Sequence, residues 1–267
     1  MQICDTIIYA AYIIPVIPKG QVLEQHVLII NKGKIADILP GEEARHRYQS
    51  DDIHHLNEHI LIPGLINSHT HSPMNLMRGL ADDLPLMTWL QEHIWPAEAK
   101  YVNPEFISDG TELAIAEMIS SGTTTFNDMY FFPDVTAKLA DKTGIRAVLG
   151  QILIDFPSAW AGTAKEYLDK GLSLHHQYQH HSRIYTAMAP HAPYTVSDEN
   201  FKACIKQAEQ LDIAIHIHVH ETKDEIEQSL KNYHCRPLAR LDNLGLLNEK
   251  MIAVHMTQLN EDEQQLV

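Results

Sequence analysis

Apolar positions in the first 60 residues come in short runs separated by turn-forming residues. The runs cover residues 6–11, 22–30 and 34–39, and an Asn-Lys-Gly-Lys stretch at 31–34 separates the last two. Apolar runs on either side of an Asn-x-Gly turn are typical of β-hairpins. The pattern therefore predicts a small β unit, the first domain, over residues 1–60.

From about residue 60 onward, strand-like apolar runs alternate with longer segments of helical periodicity. Such alternation is typical of βα units, in which each helix lets the next strand run parallel to the last. A second domain is predicted over residues 61–267. Six βα steps fit a doubly wound sheet or part of an eight-stranded barrel, and periodicity does not separate the two. The predicted strands cover 60–66, 123–127, 145–154, 184–189, 213–219 and 251–254, and the predicted helices cover 104–121, 137–143, 164–178, 198–211 and 223–230.

Composition and charge exclude several classes of function. The chain has 267 residues, of which 45% are apolar and 21% charged, so it is a folded and not a disordered protein. A formal charge of -15 repels phosphate backbones and anionic lipids, so we expect neither a nucleic-acid nor a membrane partner. Three scattered cysteines and the absence of an apolar run of ~18 residues favour a soluble, cytoplasmic protein without a disulfide framework.

Histidine changes the picture more than composition does. The chain has 18 histidines, and imidazole is a common metal ligand. His69 and His71 end the first strand of the second domain two residues apart, so they share a face and both rings can reach one ion. A lone His-x-His pair is a weak indication of metal. Seven other histidines lie in polar stretches and are expected on the solvated surface, at 54, 55, 59, 175, 176, 180 and 181.

The fifth predicted strand alternates apolar residues with His216, His218 and His220. With a period of two, all three histidines are expected to face the interior of the barrel. Three buried histidines in a row favour metal binding or catalysis over hydrogen-bonded core residues, but the pattern does not show which one binds. His191 and His255 follow the fourth and sixth strands. Four strands thus end in histidine, at the edge where barrel enzymes place their active sites.

Seven short motifs follow one another along the chain, at residues 63–71, 77–79, 89–90, 94–98, 189–194, 216–222 and 255–259. In this order they resemble the amidohydrolase superfamily, and specifically the 5-methylthioadenosine/S-adenosylhomocysteine deaminases. The resemblance runs from about residue 6 to the end of the chain. It implies a TIM-type (β/α)8 barrel, here with strands one to six only, and a small β-sandwich portion at the N-terminus.

The resemblance also implies a role for each site residue and one divalent metal, Zn²⁺ in most members. His69, His71 and His218 are the implied metal ligands. The implied catalytic residues are Glu221, a general acid/base that also contacts the substrate, and His255, which orients the attacking water. The implied substrate contacts are Glu98, at the ribose hydroxyls, and His191, near the leaving amine. His216 and His220 are left in supporting or structural roles.

This chain departs from the family pattern in two places. The family supplies a further ligand, an aspartate after strand eight, and this sequence has no candidate for it. We therefore expect the 267-residue chain either to belong to a longer protein or not to deaminate. Some relatives also carry an arginine after strand three, where this chain has Gln151. The partner of the distal end of the substrate is thus left open.

The resulting hypothesis is metal-dependent hydrolysis of 5-methylthioadenosine and S-adenosylhomocysteine to the inosine derivatives and ammonia. The expected partner is thus a small molecule, and a homo-oligomer is left open. One alternative is another heterocycle, such as guanine or a chlorinated triazine, although a ribose contact at Glu98 argues against it. A different alternative is an inactive fragment that only binds metal. The sequence does not distinguish the preferred thioether or the metal bound.

Overall fold

Two compact units, Met1–Gly64 and Leu65–Val267, make up the chain. The computed structural model describes all residues from 1 to 267. No helix has both the length and the apolar character that crossing a membrane requires.

The first unit is a mainly antiparallel β structure. Strand β2 pairs with β3 and β4 in antiparallel fashion and with β7 in parallel, β4 pairs with β5, and β1 pairs with β6. Lys32 and Gly33 both have positive φ, as the tight β4–β5 hairpin turn requires. The elements are β1 Gln2–Ile3, β2 Thr6–Ile13, β3 Leu23–Glu24, β4 His26–Asn31, β5 Lys34–Pro40, α1 Gly41–Arg47, β6 Tyr48–Gln49 and β7 Asp52–Leu61.

The second unit contains six parallel strands in one sheet. Their order, β8-β9-β10-β11-β12-β13, follows the chain without reversal. A doubly wound sheet reverses its strand order at a switch point, whereas a barrel does not. The prediction of a TIM-type barrel sheet is therefore confirmed. The strands are β8 Leu65–Thr70, β9 Thr123–Tyr130, β10 Arg146–Leu153, β11 Ile184–Pro190, β12 Ile215–Val219 and β13 Met251–His255.

Helices follow the strands and cover the outer side of this sheet. Phe126 and Leu149 of the sheet are fully buried in one apolar cluster with Ala137 and Leu174 from two of the helices. A 3-10 helix covers Ser72–Met77 and a π-helix covers Trp89–Ile94. The α-helices are α2 Leu86–Thr88, α3 Trp95–Tyr101, α4 Pro104–Ser120, α5 Pro133–Thr143, α6 Ala164–Tyr178, α7 Asp198–Leu211, α8 Lys223–Tyr233, α9 Pro237–Asn243 and α10 Glu261–Leu266.

The structure corrects the strand predicted over residues 60–66. Ile60 and Leu61 end β7 of the first unit, and the barrel strand begins only at Leu65. Pro63 lacks a backbone N–H group to pair, and Gly64 is a poor strand former, so the two residues separate what reads as one apolar run. The first unit extends to Gly64.

Candidate metal and active site

Three histidines meet at the carboxyl ends of β8 and β12. One ring nitrogen from each of His69, His71 and His218 lies within 4.8 Å of the others. The Nε2 atoms of His69 and His218 are 3.2 Å apart. Two nitrogens bound to one tetrahedral zinc at ~2.0–2.1 Å each lie ~3.3 Å apart, so this spacing suits a shared ion.

Backbone carbonyls fix the tautomers of two of these rings. The Nδ1 of His71 donates to the carbonyl of Met129 at 2.5 Å, and the Nδ1 of His218 donates to the carbonyl of His191 at 2.8 Å. A carbonyl oxygen accepts only, so each Nδ1 carries the hydrogen and each Nε2 keeps a free lone pair. Both rings therefore present the atom that a metal needs, and the second hydrogen bond of each ring sets its orientation.

The third ring, that of His69, has a side chain as its partner. Its Nδ1 lies 2.9 Å from the Nε2 of His216, which is fully buried. Burial lowers the pKa of His69 to about 3 and that of His216 to about 4. Burial also lowers the pKa of His71 and of His218. The cluster is thus neutral at pH 7, and the neutral imidazole is the form that binds metal.

Glu221 and His255 lie next to this cluster. The Nε2 of His255 is 3.5 Å from a carboxylate oxygen of Glu221, and the rings of His255 and His218 stack with centroids 5.3 Å apart. Burial raises the pKa of Glu221, so its carboxyl takes up a proton more readily than an exposed glutamate does. The ring of His255 is also 6.1 Å from that of His69, so the ends of the two edge strands approach each other.

A cavity opens beside the histidines on the side of His71 and His191. It encloses about 100 Å³ and is partly open to solvent. Its walls are mostly apolar and aromatic, with Trp89 and Phe156 among them, and the polar groups are few. One of these is Glu98, whose carboxylate accepts a hydrogen bond from the Tyr130 hydroxyl at 2.6 Å. Burial raises the pKa of Glu98, and this hydrogen bond opposes the shift.

His191 has its ring against Thr195 at one edge of the same cavity. Its Nδ1 lies 3.0 Å from the Thr195 hydroxyl, which itself donates to the carbonyl of Ala192. The Thr195 oxygen therefore accepts from Nδ1, and the Nε2 of His191 keeps its lone pair. Burial lowers the pKa of His191 to about 3, so the ring stays neutral.

One residue lies elsewhere than the sequence predicts, and a second lies outside the cavity. His220 does not share the face of His216 and His218, because its φ of 57° turns the chain out of the strand. Its Nε2 instead accepts from the backbone N–H of Leu238. Gln151 faces α6, where its side chain lies against Gly171, and does not line the cavity. It therefore does not stand in for an arginine in the cavity.

Sequence reasoning missed three supporting side chains. The Glu225 carboxylate accepts from the backbone N–H groups of His220 and Glu221, at 3.0 and 2.7 Å, and so holds the turn after β12. Thr222, three residues earlier, caps α8, so a Thr-x-x-Glu capping pattern was the available signal. Asp128 accepts from the N–H and hydroxyl of Ser72, next to His71. No local pattern indicates that contact or the Tyr130 hydroxyl on Glu98, because each pair is distant in sequence.

Comparison with known proteins agrees with this geometry. The family model described as "Amidohydrolase family" matches residues 60–266. The chain belongs to the amidohydrolase family.

Among amidohydrolase relatives, a 5-methylthioadenosine/S-adenosylhomocysteine deaminase from Saccharophagus degradans is 46% identical over 259 residues, which is 97% of this chain and 58% of the relative. The structure of an adenosine deaminase from Xanthomonas campestris with bound zinc superposes with a TM-score of 0.97 at 50% identity, covering 99% of this chain and 60% of that one. An atrazine chlorohydrolase from Arthrobacter aurescens complexed with zinc has a TM-score of 0.89 at 20% identity. The match covers 98% of this chain and 63% of the chlorohydrolase, and it shows the shared fold alone. The chain thus spans about three fifths of the length of these relatives.

Proposed function

We propose that this protein is a zinc-dependent aminohydrolase that deaminates adenosine derivatives, with 5-methylthioadenosine and S-adenosylhomocysteine as substrates. The observation that carries the proposal is the histidine cluster with free Nε2 atoms beside Glu221, a carboxyl of raised pKa. The relative from Saccharophagus degradans named for these two substrates supports the substrate class.

The three nitrogens of His69, His71 and His218 fit zinc in number, type and spacing. Three protein ligands with one position left for water or substrate are typical of catalytic zinc sites. A zinc ion held there supplies Lewis acidity that activates water for hydrolysis at neutral pH. The structure of the Xanthomonas campestris adenosine deaminase, which contains bound zinc, supports this choice of metal.

Glu221 moves the protons in the proposed reaction. Its carboxyl donates a proton to the purine ring nitrogen next to the amine-bearing carbon and then helps the amine to leave as ammonia. His255, 3.5 Å from that carboxylate, orients the water that attacks the same carbon. One water is consumed, the C–N bond to the amine breaks, and the products are ammonia and the 6-oxo purine.

The cavity accounts for recognition of the nucleoside. Glu98 binds the ribose hydroxyls, which are donors that a carboxylate accepts well, and the Tyr130 hydroxyl holds it in place. His191 contacts the substrate near the leaving amine through its free Nε2. The apolar and aromatic walls suit a purine and a thioether, both of which carry little charge.

The experiment is an assay of zinc-loaded protein with 5-methylthioadenosine, following the absorbance change from adenine to hypoxanthine and the release of ammonia. Because the chain covers 58% of the Saccharophagus degradans relative, it is assayed alone and also joined to the C-terminal remainder of that relative. Turnover in either form supports the proposal, and turnover only in the joined form also supports the expectation that residues 1–267 alone do not deaminate. A protein that holds zinc but converts neither 5-methylthioadenosine, S-adenosylhomocysteine nor adenosine in either form contradicts it.

A further inference from the structure

His216 is the one buried histidine in the cluster that no ligand or substrate role uses. It lies in the middle of β12, is fully buried, and its Nδ1 has no hydrogen-bond partner. Its Nε2 is 2.9 Å from the Nδ1 of His69. Burying a polar ring with one unpaired nitrogen costs free energy of folding, so the role of His216 is best sought in its one contact, with His69.

The three candidate ligands differ in what holds their Nδ1 atoms. His71 and His218 donate to backbone carbonyls, which fix one tautomer. The Nδ1 of His69 faces another imidazole, which can either donate or accept. If His216 donates, the hydrogen of His69 lies on Nε2 and blocks the atom that faces His218. If His216 accepts, the Nε2 of His69 is free.

We infer that His216 is a positioning residue for the metal site: its Nε2 accepts the Nδ1 hydrogen of His69 and so orients that ring with its Nε2 toward the ion. In many metal sites, a carboxylate or a carbonyl holds the outer nitrogen of a ligating imidazole in this way. Here a second imidazole takes that place. The inference rests on the zinc site of the proposed function but not on the deamination itself.

The test compares two substitutions of His216 by zinc affinity. His216→Phe keeps a planar aromatic ring but removes the acceptor, whereas His216→Gln places an amide oxygen close to the position of Nε2. Loss of a partner behind a ligand typically costs about 10- to 100-fold in metal affinity. We expect a rise of that size in the zinc Kd of His216→Phe and a change of no more than a few fold in His216→Gln. The readout is competition of the purified protein with a chromophoric chelator for Zn²⁺.

His175→Phe is the matched control. The Nδ1 of His175 also has one side-chain partner, the hydroxyl of Thr186, but this histidine contacts no candidate ligand. Its zinc Kd is expected to stay at the wild-type value. Thermal unfolding of each metal-free variant shows whether it is folded before zinc is added.

A second readout is the tautomer of His216 in the zinc-loaded protein, from nitrogen NMR of the imidazoles. The inference predicts a hydrogen on Nδ1 and none on Nε2. Equal zinc affinity in His216→Phe and wild type, or an equal loss in His216→Gln and His216→Phe, contradicts the inference while leaving the zinc site intact. A wild-type protein that binds no zinc overturns both the inference and the zinc site of the proposed function.

Discussion

Strands β7 and β12 are both rich in histidine, yet they place these residues in opposite surroundings. On β7, nearly every residue is exposed, the ring of His54 meets Asp52 at 3.0 Å and the ring of His55 stacks on Tyr9. On β12, every residue is buried, and the rings of His216 and His218 meet the ring of His69. The β7 histidines lie in water, which competes for any metal, and Asp52 is the side-chain partner of the His54 ring.

The difference teaches that partners, and not the number of histidines, make a metal site. Each candidate ligand near β12 has its outer nitrogen held by a carbonyl or by a buried imidazole. Holding the ring beforehand reduces the entropy lost when the ion binds. His54 has one such partner, the exposed Asp52, but His54 and His55 point to opposite faces of β7 and cannot share an ion as the rings near β12 can.

The largest expected effect is loss of zinc binding on removal of a ligand in the β12 group. Zinc sites with four protein ligands bind with about 10–16 kcal/mol, so one ligand is worth several kcal/mol. His218→Asn should therefore raise the zinc Kd by roughly 10² to 10³. His54→Asn, on β7, should leave it unchanged. Chelator competition measures both, and equal losses in the two variants contradict the contrast between the strands.

The next effect is on turnover. Glu221→Gln keeps the size of the side chain but removes its transferable proton, so kcat should fall by ~10² or more with the zinc content unchanged. Glu227→Gln, an exposed position on α8, is the matched control and should retain wild-type kcat. The measurement uses whichever form of the protein turns over 5-methylthioadenosine. Unchanged kcat in Glu221→Gln rules out the proton-transfer role.

Glu225 tests whether the turn after β12 depends on its carboxylate. Glu225→Ala leaves the N–H groups of His220 and Glu221 without acceptors. An unsatisfied buried donor costs about 1–3 kcal/mol, so the free energy of unfolding should fall by about that amount, measured in urea. The exposed substitution Glu227→Ala should change it by less than about 0.5 kcal/mol. Similar values in the two variants show that the turn is held by other contacts.

The smallest predicted effect concerns the cavity. Tyr130→Phe removes the hydroxyl that donates to Glu98 at 2.6 Å. Because Tyr130 holds Glu98 and does not itself bind the substrate, only part of the about 1.5–3 kcal/mol of this hydrogen bond is lost from binding, so KM for 5-methylthioadenosine should rise by about three- to tenfold while zinc affinity stays constant. Tyr185→Phe serves for comparison, since that side chain is exposed. A change in zinc affinity in Tyr130→Phe assigns its role to the metal site instead.

Periodicity predicted the regular parts of the barrel unit well. The helices over 164–178 and 198–211 have the predicted bounds, because their apolar spacing and polar ends are local properties of the sequence. Strand β7 escaped prediction because it is polar and exposed, so it shows no alternation. The helical segments between residues 72 and 101 lacked a clear signal for a different reason: their apolar residues line a cavity and do not follow one helix face.

In the site, too, some features could be predicted from the sequence and others could not. His69, His71 and the histidines of β12 lie near strand ends, so their positions indicated a shared site, but only the family resemblance selected His218 as the third ligand. The direction of His220 depended on one left-handed backbone angle, which the sequence does not reveal. Contacts such as Tyr130 with Glu98 join residues 32 positions apart and arise only from the packing of the folded chain.

The most direct test of the central claim is a crystal structure of the zinc-loaded protein with the ion located by its anomalous scattering. The account predicts one zinc ion bonded at ~2.0–2.1 Å to the Nε2 atoms of His69, His71 and His218, with each Nδ1 still on its present partner. Zinc bound instead to His216 or to the histidines of β7, or no zinc at the ends of β8 and β12, contradicts it.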